Sequence, residues 1–536
     1  MRFKSTTLIT IILSILIILC TTCITPQDIL YKPNIIFIYS DDLGIGLLSH
    51  EGQQIIKTPN IDKLAYEGIR FQNAYSCMLC APARASLITG LHDCHSNKFE
   101  ITNAGIYKKI SSGEYTHHEI EKILNAKLSP VPHDVKFLAE IAKESGYITA
   151  QFGKLEWGFA VSHQQMVRHG WDFYFGYMDH VRAHGFYPPF LFKNGELIKI
   201  GGNSLPNCGK SGEPETPKVY NERWNMKGKK VYSQQIFMDS VLQFISANKD
   251  KPFFLYFPSQ LPHGPVSIPA IHPDFINEER LTQIEKEYAS MVKMLDDNVG
   301  QIMNKLNSLN IDDNTIVIFS SDNGHEIYYA QKGRVHKPYT NIKTGEIFDN
   351  LESKYYSEIG GDIFDGNGGR AGLKRSNLQG GIEVPLIIRW PKRISSGKVS
   401  KRLVANYDIL PTIAEITGFV GPIITDGLSF YKELIGKDNV VEHDFIVYSS
   451  FLGPTLITND GWKLRSYLAK DVFELYYLPD DHREEYDLAK KNYGKLKELK
   501  TKLSEACDGD YNNGLYTHQE NQLDVEELSL TKNKLH

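Results

Sequence analysis

Five runs of β-branched and aromatic residues stand out along the chain: Asn34–Ser40, Tyr147–Phe152, Phe253–Phe257, Thr315–Ser321 and Val384–Trp390. Each is largely apolar and too short for an ordinary helix, the pattern of a strand covered on both faces. Between these runs the apolar positions recur every three or four residues. Val135, Leu138, Ala139 and Ala142 make one helical stripe, ended by Gly146. Ile284, Met291, Leu295, Ile302, Met303, Leu306 and Leu309 make a longer one before the fourth run. Strands alternating with amphipathic helices predict an α/β fold with a large, mixed but mostly parallel sheet flanked by helices, over residues 30–400. Beyond about residue 405 the pattern changes. Asp460-Gly461-Trp462-Lys463-Leu464 reads as a hairpin element leading to a strand near Phe473–Leu478, and Leu496, Leu499 and Leu503 mark a helix. A smaller antiparallel sheet with a covering helix is expected over 405–510. Residues 512–536 are polar with little periodicity and read as a flexible tail.

The residues that follow the strand-like runs are the first chemical signal. Asp41-Asp42 follow the first, Gly153-Lys154 the second, Pro262-His263 come shortly after the third, and Asp322-Asn323-Gly324 follow the fourth. In open α/β sheets ligands bind at the carboxyl ends of the strands, so these groups are expected to gather on one edge. Lys374 precedes the fifth run and must reach that edge on a loop. Singly, each has an ordinary reading: an Asp pair can cap, Asn-Gly can turn, and a lone His or Lys can be solvated. Four such groups after four successive strands point to a site.

A second signal is Cys80-Ala81-Pro82-Ala83-Arg84, which reads as the start of a helix with Pro82 in its first turn and Gly90 as its stop. A nucleophile at a helix N-terminus, one turn from Arg84, suits a tetrahedral anion. Cys77 and Cys80 also fit a redox dithiol, half a zinc site or a disulfide, but no second cysteine pair at similar spacing completes a zinc site. Asp41, Asp42, Asp322 and Asn323 offer oxygen donors, which suit calcium or magnesium better than zinc or copper. Arg84, Lys154, Lys374 and His263 add positive or potentially positive groups. A cation and basic side chains around a nucleophile stabilise charge on a transferring oxyanion, so the substrate is expected to carry sulfate or phosphate.

Composition narrows the setting. The 536 residues, 41% hydrophobic, can bury a large core, and a net charge of −5 from 59 basic and 64 acidic residues excludes nucleic acid as the main partner. Met1-Arg2-Phe3-Lys4 followed by an apolar run from Leu8 to Leu19 describes a signal peptide over residues 1–25, and hence export. Cys20 and Cys23 are candidate lipidation sites, and such an anchor is the expected route to a membrane. With those two set aside, five cysteines remain, an odd number in keeping with one consumed by chemistry.

These motifs, with Thr58-Pro59-Asn60-Ile61-Asp62-Lys63-Leu64, DDLGIG, FGKLEWG, PHGP, SDNG and GLKRSNLQGGIEVPLIIRWP, resemble the type I, formylglycine-dependent sulfatases of the alkaline-phosphatase-like superfamily. The likeness runs from about Pro33 to Leu488. It implies that Cys80 is oxidised by a formylglycine-generating or anaerobic maturation enzyme to an aldehyde, whose hydrate attacks sulfur and later expels sulfate. It further implies one calcium ion per chain, with Asp41, Asp42, Asp322 and Asn323 as ligands alongside the modified Cys80. Arg84 would hold the modified residue. Lys154, Lys374 and His263 would bind sulfate, with Lys374 also a proton donor to the leaving alcohol.

The chain departs from the family pattern in three places. Glu156 stands where a histidine usually hydrogen-bonds the hydrated aldehyde, Ala83 replaces a serine, and Gln379 and Glu383 replace a usual Glu and Arg. The last exchange puts a local salt bridge in doubt. Gly176–Pro189 mixes histidines, an arginine and aromatics, which suits a carbohydrate. With Glu156, the histidines His180, His184 and His325 are its candidate substrate contacts, and the segment resembles one in exported bacterial polysaccharide sulfatases. The alternatives are a phosphate or phosphonate ester hydrolase of the same superfamily, and a calcium-containing glycan-binding protein without turnover.

Overall fold

Strand β1 (Asn34–Ser40) is buried at every position and pairs in parallel with a strand on each side. The computed structural model describes residues 32–96, 102–103, 106–127, 134–154, 162–180, 182–212, 215–330, 354–438, 440–516 and 521–522. The other strands of the main sheet are β2 (Ile69–Tyr75), β3 (Ile148–Gly153), β4 (Phe173–Gly176), β5 (Phe190–Lys193), β6 (Glu196–Lys199), β7 (Phe253–Pro258), β8 (Thr315–Ser321), β9 (Leu386–Arg389) and β10 (Lys398–Ala405). Their order is β10-β2-β9-β8-β1-β7-β3-β4-β5-β6. All five runs seen in the sequence are strands. Four of them, β8, β1, β7 and β3, are parallel neighbours, but β9 runs antiparallel to both β8 and β2. This reversal settles how Lys374 travels. The residues leading into an antiparallel strand begin at the carboxyl edge of its parallel neighbours.

Helices pack on this sheet through the predicted stripes. Helix α1 (Pro59–Glu67) follows β1, α2 (Cys80–Thr89) follows β2, and α3 (Leu138–Glu144) precedes β3. Helix α4 (Ser233–Asn248) precedes β7, and α5 (Gln283–Ser308) precedes β8. Helix α5 starts with a capping box, in which the Glu285 carboxylate accepts from the Thr282 amide at 2.7 Å. Its buried Asp296 accepts from the amides of Asn60 and Ile61, both at 2.9 Å, and so caps α1 from a distant helix.

After α6 (Ile409–Thr417) comes a four-stranded antiparallel sheet, β11 (Phe445–Tyr448), β12 (Thr455–Thr458), β13 (Trp462–Tyr467) and β14 (Val472–Tyr477), in that order. Helix α7 (Tyr493–Ala506) covers it through Leu499 and Leu503. Tyr75, Met78 and Ile382 of the larger sheet region share one buried cluster with Ile446, Tyr448 and Ile457 of the smaller. From Asn34 onward the chain is one compact unit. The expected tail is in part tied down: the Tyr516 amide donates to the Ser450 carbonyl at 2.8 Å, and Asn521–Gln522 pair with Thr102–Asn103. The segment expected to be a signal peptide and the rest of the expected tail lie outside the described residues. Among the described residues no helix is long and apolar enough to cross a membrane.

Candidate active site

The register of β1 against β8 pairs Ser40 with Ser321, so Asp41-Asp42 and Asp322-Asn323 leave the sheet side by side. Asp42 adopts a left-handed backbone conformation (φ 63°), and its amide donates to Asp322 Oδ1 at 3.0 Å. Asn323 Nδ2 donates to Asp42 Oδ1 at 2.7 Å. Close approach fixes a glycine here: a Cβ on Gly324 would meet the Gly380 carbonyl oxygen at 2.0 Å.

Three basic side chains close over these acids. Arg84 Nη2 lies 2.7 Å from Asp322 Oδ2 and 3.6 Å from Asp41 Oδ1, with its guanidinium over the Tyr39 ring at 5.3 Å. Lys154 Nζ donates to Asp41 Oδ2 at 2.6 Å. Lys374 Nζ sits 2.6 and 2.7 Å from the two oxygens of Asp42, held by a bond from its own amide to the His325 carbonyl at 2.8 Å. His263 Nε2 is 3.3 Å from Asp42 Oδ2, 3.3 Å from Lys374 Nζ and 3.1 Å from the Tyr328 hydroxyl. That hydroxyl also donates to Asp42 Oδ2.

Cys80 is the first residue of α2 and is buried beside this cluster. Its Sγ and the carboxylates of Asp41 and Asp322 offer ligand atoms within 4.8 Å of one another. Gly90 ends the helix in the left-handed conformation (φ 71°), its amide on the Ser86 carbonyl. The thiol meets His180, whose Nε2 is 3.1 Å from Sγ. His184 stacks on His263 with ring centroids 3.7 Å apart.

Burial and charge set the protonation of these groups. Burial pushes the Asp41 carboxyl up to about 8 against the pull of Lys154. For Asp42 burial acts the same way, but Lys374 and the hydrogen bonds more than offset it and hold the carboxyl below its usual range. Lys374 is held charged: burial is the largest single influence and opposes the charge, but Asp42, Cys80 and Asp41 together outweigh it. Burial also raises the Cys80 thiol, while Lys154 and Lys374 pull it down. His180 and His184 are kept neutral, first by burial and then by neighbouring positive groups.

The nucleophile position, the acids and the basic residues thus gather as the strand ends suggested. His180 and His184 join them, whereas Glu156 lies outside the described residues. His325 does not join. It is fully buried, with Nε2 on the Tyr329 hydroxyl at 2.9 Å and 3.7 Å from Asp362, and among the described residues no hydrogen bond or ion pair joins its ring to the cluster. Its backbone holds Lys374 instead. Tyr328 and Tyr39 were not singled out from the sequence, because tyrosines inside apolar runs read as core.

An oxygen-binding cation fits this arrangement. Among the described residues Asp41 Oδ1 and Asn323 Oδ1 are buried with no hydrogen-bond partner, and both belong to the oxygen-only set. Three carboxylates face three cationic side chains, so a divalent ion would leave the site net positive toward an anionic ester.

The sulfatase family model matches residues 33–419, and a model of the C-terminal region of N-sulphoglucosamine sulphohydrolase matches 373–508. The chain belongs to the sulfatase family. It is 28% identical over 409 residues to the N-acetylgalactosamine-6-sulfatase of Homo sapiens, a match covering 75% of this chain and 66% of that enzyme, just under two thirds of its length. It is 26% identical over 526 residues to the N-acetylgalactosamine-6-O-sulfatase of Bacteroides thetaiotaomicron, covering 87% of this chain and 92% of the relative. Among solved structures, a 6S-sulfatase from a glycosaminoglycan-metabolising locus of Bacteroides thetaiotaomicron aligns with a TM-score of 0.66 at 24% identity, over 89% of this chain and 99% of its own. At that identity the likeness speaks for the fold, a sulfatase fold of the alkaline-phosphatase-like kind.

Proposed function

We propose that the protein is a sulfuric ester hydrolase that removes sulfate from a sulfated carbohydrate, using a formylglycine made from Cys80 and one calcium ion. The observation that carries this reading is the meeting of Cys80, Asp41 and Asp322 at one point, ringed by Arg84, Lys154 and Lys374. Asp41, Asp42, Asp322 and Asn323 would hold the calcium, joined by the modified residue. When bound, the ion supplies Lewis-acid polarisation of the sulfate oxygens.

Cys80 Sγ stands in for an oxygen of the matured residue. Neutral His180, 3.1 Å away, is placed to accept that oxygen's proton at Nε2. Lys154 and His263 would flank the sulfate, with the Lys154 ammonium offsetting its charge, and Arg84 orients Asp322 and Asp41. Lys374 is held protonated by Asp42 and is placed to give an Nζ proton to the leaving alcohol as the S–O ester bond breaks. Both relatives above are named for a sulfated N-acetylgalactosamine, and this supports an amino-sugar or galactose-type glycan. The N-terminal pattern supports export, through a signal peptide and with a lipid anchor on Cys20 or Cys23 as one route to the cell surface.

The test pairs two measurements on protein matured in its own host. The tryptic peptide containing Cys80 is weighed, and hydrolysis of an aryl sulfate is compared with the matching aryl phosphate. Exchange of sulfur for oxygen with loss of two hydrogens, together with a preference for the sulfate, is the expected result. An unmodified thiol with no turnover would overturn the hydrolase reading, and a preference for phosphate would move the assignment to the phosphate ester hydrolases.

A further inference from the structure

The loop that follows the nucleophile helix carries His92 and His95, outside the active site. Their rings stack 4.0 Å apart at 13°, and both face Asp426. His95 Nε2 is 3.1 Å and His92 Nε2 3.8 Å from Asp426 Oδ2, and the three ligand atoms lie within 4.8 Å of one another. Around a tetrahedral ion with bonds of about 2.0–2.1 Å, ligand atoms stand about 3.3 Å apart, close to this spacing; the two rings must turn out of their stack so that the lone pairs, which lie in the ring planes, meet at one ion.

We infer that His92, His95 and Asp426 form a second metal site, for zinc or a similar borderline divalent ion. Two imidazoles and one carboxylate suit zinc and are poor ligands for calcium. The outer shell is present as well. Asp508 Oδ1 lies 3.2 Å from His95 Nδ1, the carboxylate–imidazole contact that fixes a metal-binding histidine with its other nitrogen bare. Asp508 is itself held by the Ser96 amide at 2.8 Å and the Ser96 hydroxyl at 3.0 Å. Binding displaces the proton that otherwise joins His95 Nε2 to Asp426. It also gives up the long contact of the Cys94 amide with His92 Nδ1, 3.4 Å, since that nitrogen then carries the proton. The three protein ligands leave a fourth position for water. His95 and Asp426 are each 27% exposed at the side chain, which gives the ion a way in.

The site has a structural purpose. Helix α2 ends at Thr89, and Asp426 is already tied to its end by a bond from the Asp426 amide to the Gly90 carbonyl at 2.9 Å. Asp508 follows α7 of the C-terminal sheet region. A bound ion would therefore fasten the helix carrying Cys80 and Arg84 to the C-terminal part of the chain.

The test is a zinc titration of the full-length, calcium-saturated protein by isothermal calorimetry. One equivalent is expected for the wild type and for His180→Gln, which removes a histidine of the active-site cluster. His95→Gln is expected to lose that equivalent. Asp508→Asn leaves all three ligands and is expected to keep the equivalent but bind about 10–100-fold more weakly, and it carries the test if His95→Gln fails to fold. No bound equivalent in the wild type, or unchanged binding in both His95→Gln and Asp508→Asn, would overturn the site and leave the cluster an ion-pair clamp.

Discussion

Replacing Arg370 by methionine tests how the active-site edge is supported. Gln379 and Glu383 occupy positions where the family pattern has a carboxylate and a guanidinium, so the usual pair is absent. The bridge is rebuilt from another partner: Arg370 Nε and Nη2 each donate to Glu383 at 2.6 Å in a bidentate pair. Gln379 Nε2 adds a bond to Glu383 at 3.1 Å, and its Oε1 accepts from Lys463, which pairs with Glu484 at 2.8 Å. Directly above this chain of contacts the Gly381 carbonyl accepts from Gly324, and the Ile382 carbonyl accepts from Ser76. Ser76 in turn donates to the Asp322 carbonyl at 2.6 Å.

Arg370→Met leaves Glu383, 7% exposed, without its cation. Two charge-assisted hydrogen bonds at about 1.5–3 kcal/mol each, and the about 3–5 kcal/mol seen when a buried ion pair loses one partner, give the same range. The remaining Gln379 bond and the 20% exposure of the Arg370 side chain place the loss near the lower end, about 3 kcal/mol. Urea unfolding read by tryptophan fluorescence measures it. The double variant Arg370→Met/Glu383→Gln removes the stranded charge and should recover about 2 kcal/mol of the loss. Since neither residue touches Cys80, kcat should fall less than about ten-fold in either variant. A loss under about 1 kcal/mol in the single variant, or a double variant no more stable than the single, would refute the reasoning.

Lys154→Met removes the ammonium that meets Asp41 and should lower kcat by about 10²–10³ while the protein stays folded; a fall under ten-fold would remove Lys154 from the charge-stabilising set. Calcium should bind the chelator-stripped protein more tightly as pH rises to about 8, by up to about ten-fold per unit, because the ion must displace the proton that burial places on Asp41. Indicator-competition titrations from about pH 6 to 9 measure this, and a flat profile would count against Asp41 as a ligand. In chelator, His95 is held protonated up to about 9, mainly by its hydrogen bond to Asp426 and against burial. A raised folded pKa stabilises below the unfolded value of about 6.5 and loses that contribution as pH rises through 9. Wild type should therefore exceed His95→Gln by about 1–2 kcal/mol near pH 6, after solvent screening, and the gap should close by about pH 10; a gap that widens with pH would reverse the sign.

Much of this site was legible because its chemistry sits at strand ends. A run such as Thr315–Ser321 announces a covered strand by composition alone, and the polar residues after it must then emerge at the carboxyl edge. Strand direction was not legible. Nothing in Val384–Trp390 distinguishes a parallel from an antiparallel strand, because a strand covered on both faces has the same composition in either sense. Strands β2 and β10 and the β5–β6 hairpin were passed over for a related reason: their polar positions, as in Ile69–Tyr75, weaken the apolar signal although they still pair in the sheet.

The position of His325 depends on something else. It stands two residues after Asn323 and reads in the sequence, with His180 and His184, as a candidate substrate contact. At Gly324 the close Gly380 carbonyl excludes any side chain, and the His325 ring that follows lies on Tyr329 and near Asp362. His180 shows the opposite case, since it lies 100 residues from Cys80 in sequence yet within contact of its sulfur. Residue type and spacing identify what gathers at a strand edge. Side chains delivered by loops depend on backbone turns and on close approaches that only the folded chain defines, and in this protein they decide which imidazole meets the nucleophile.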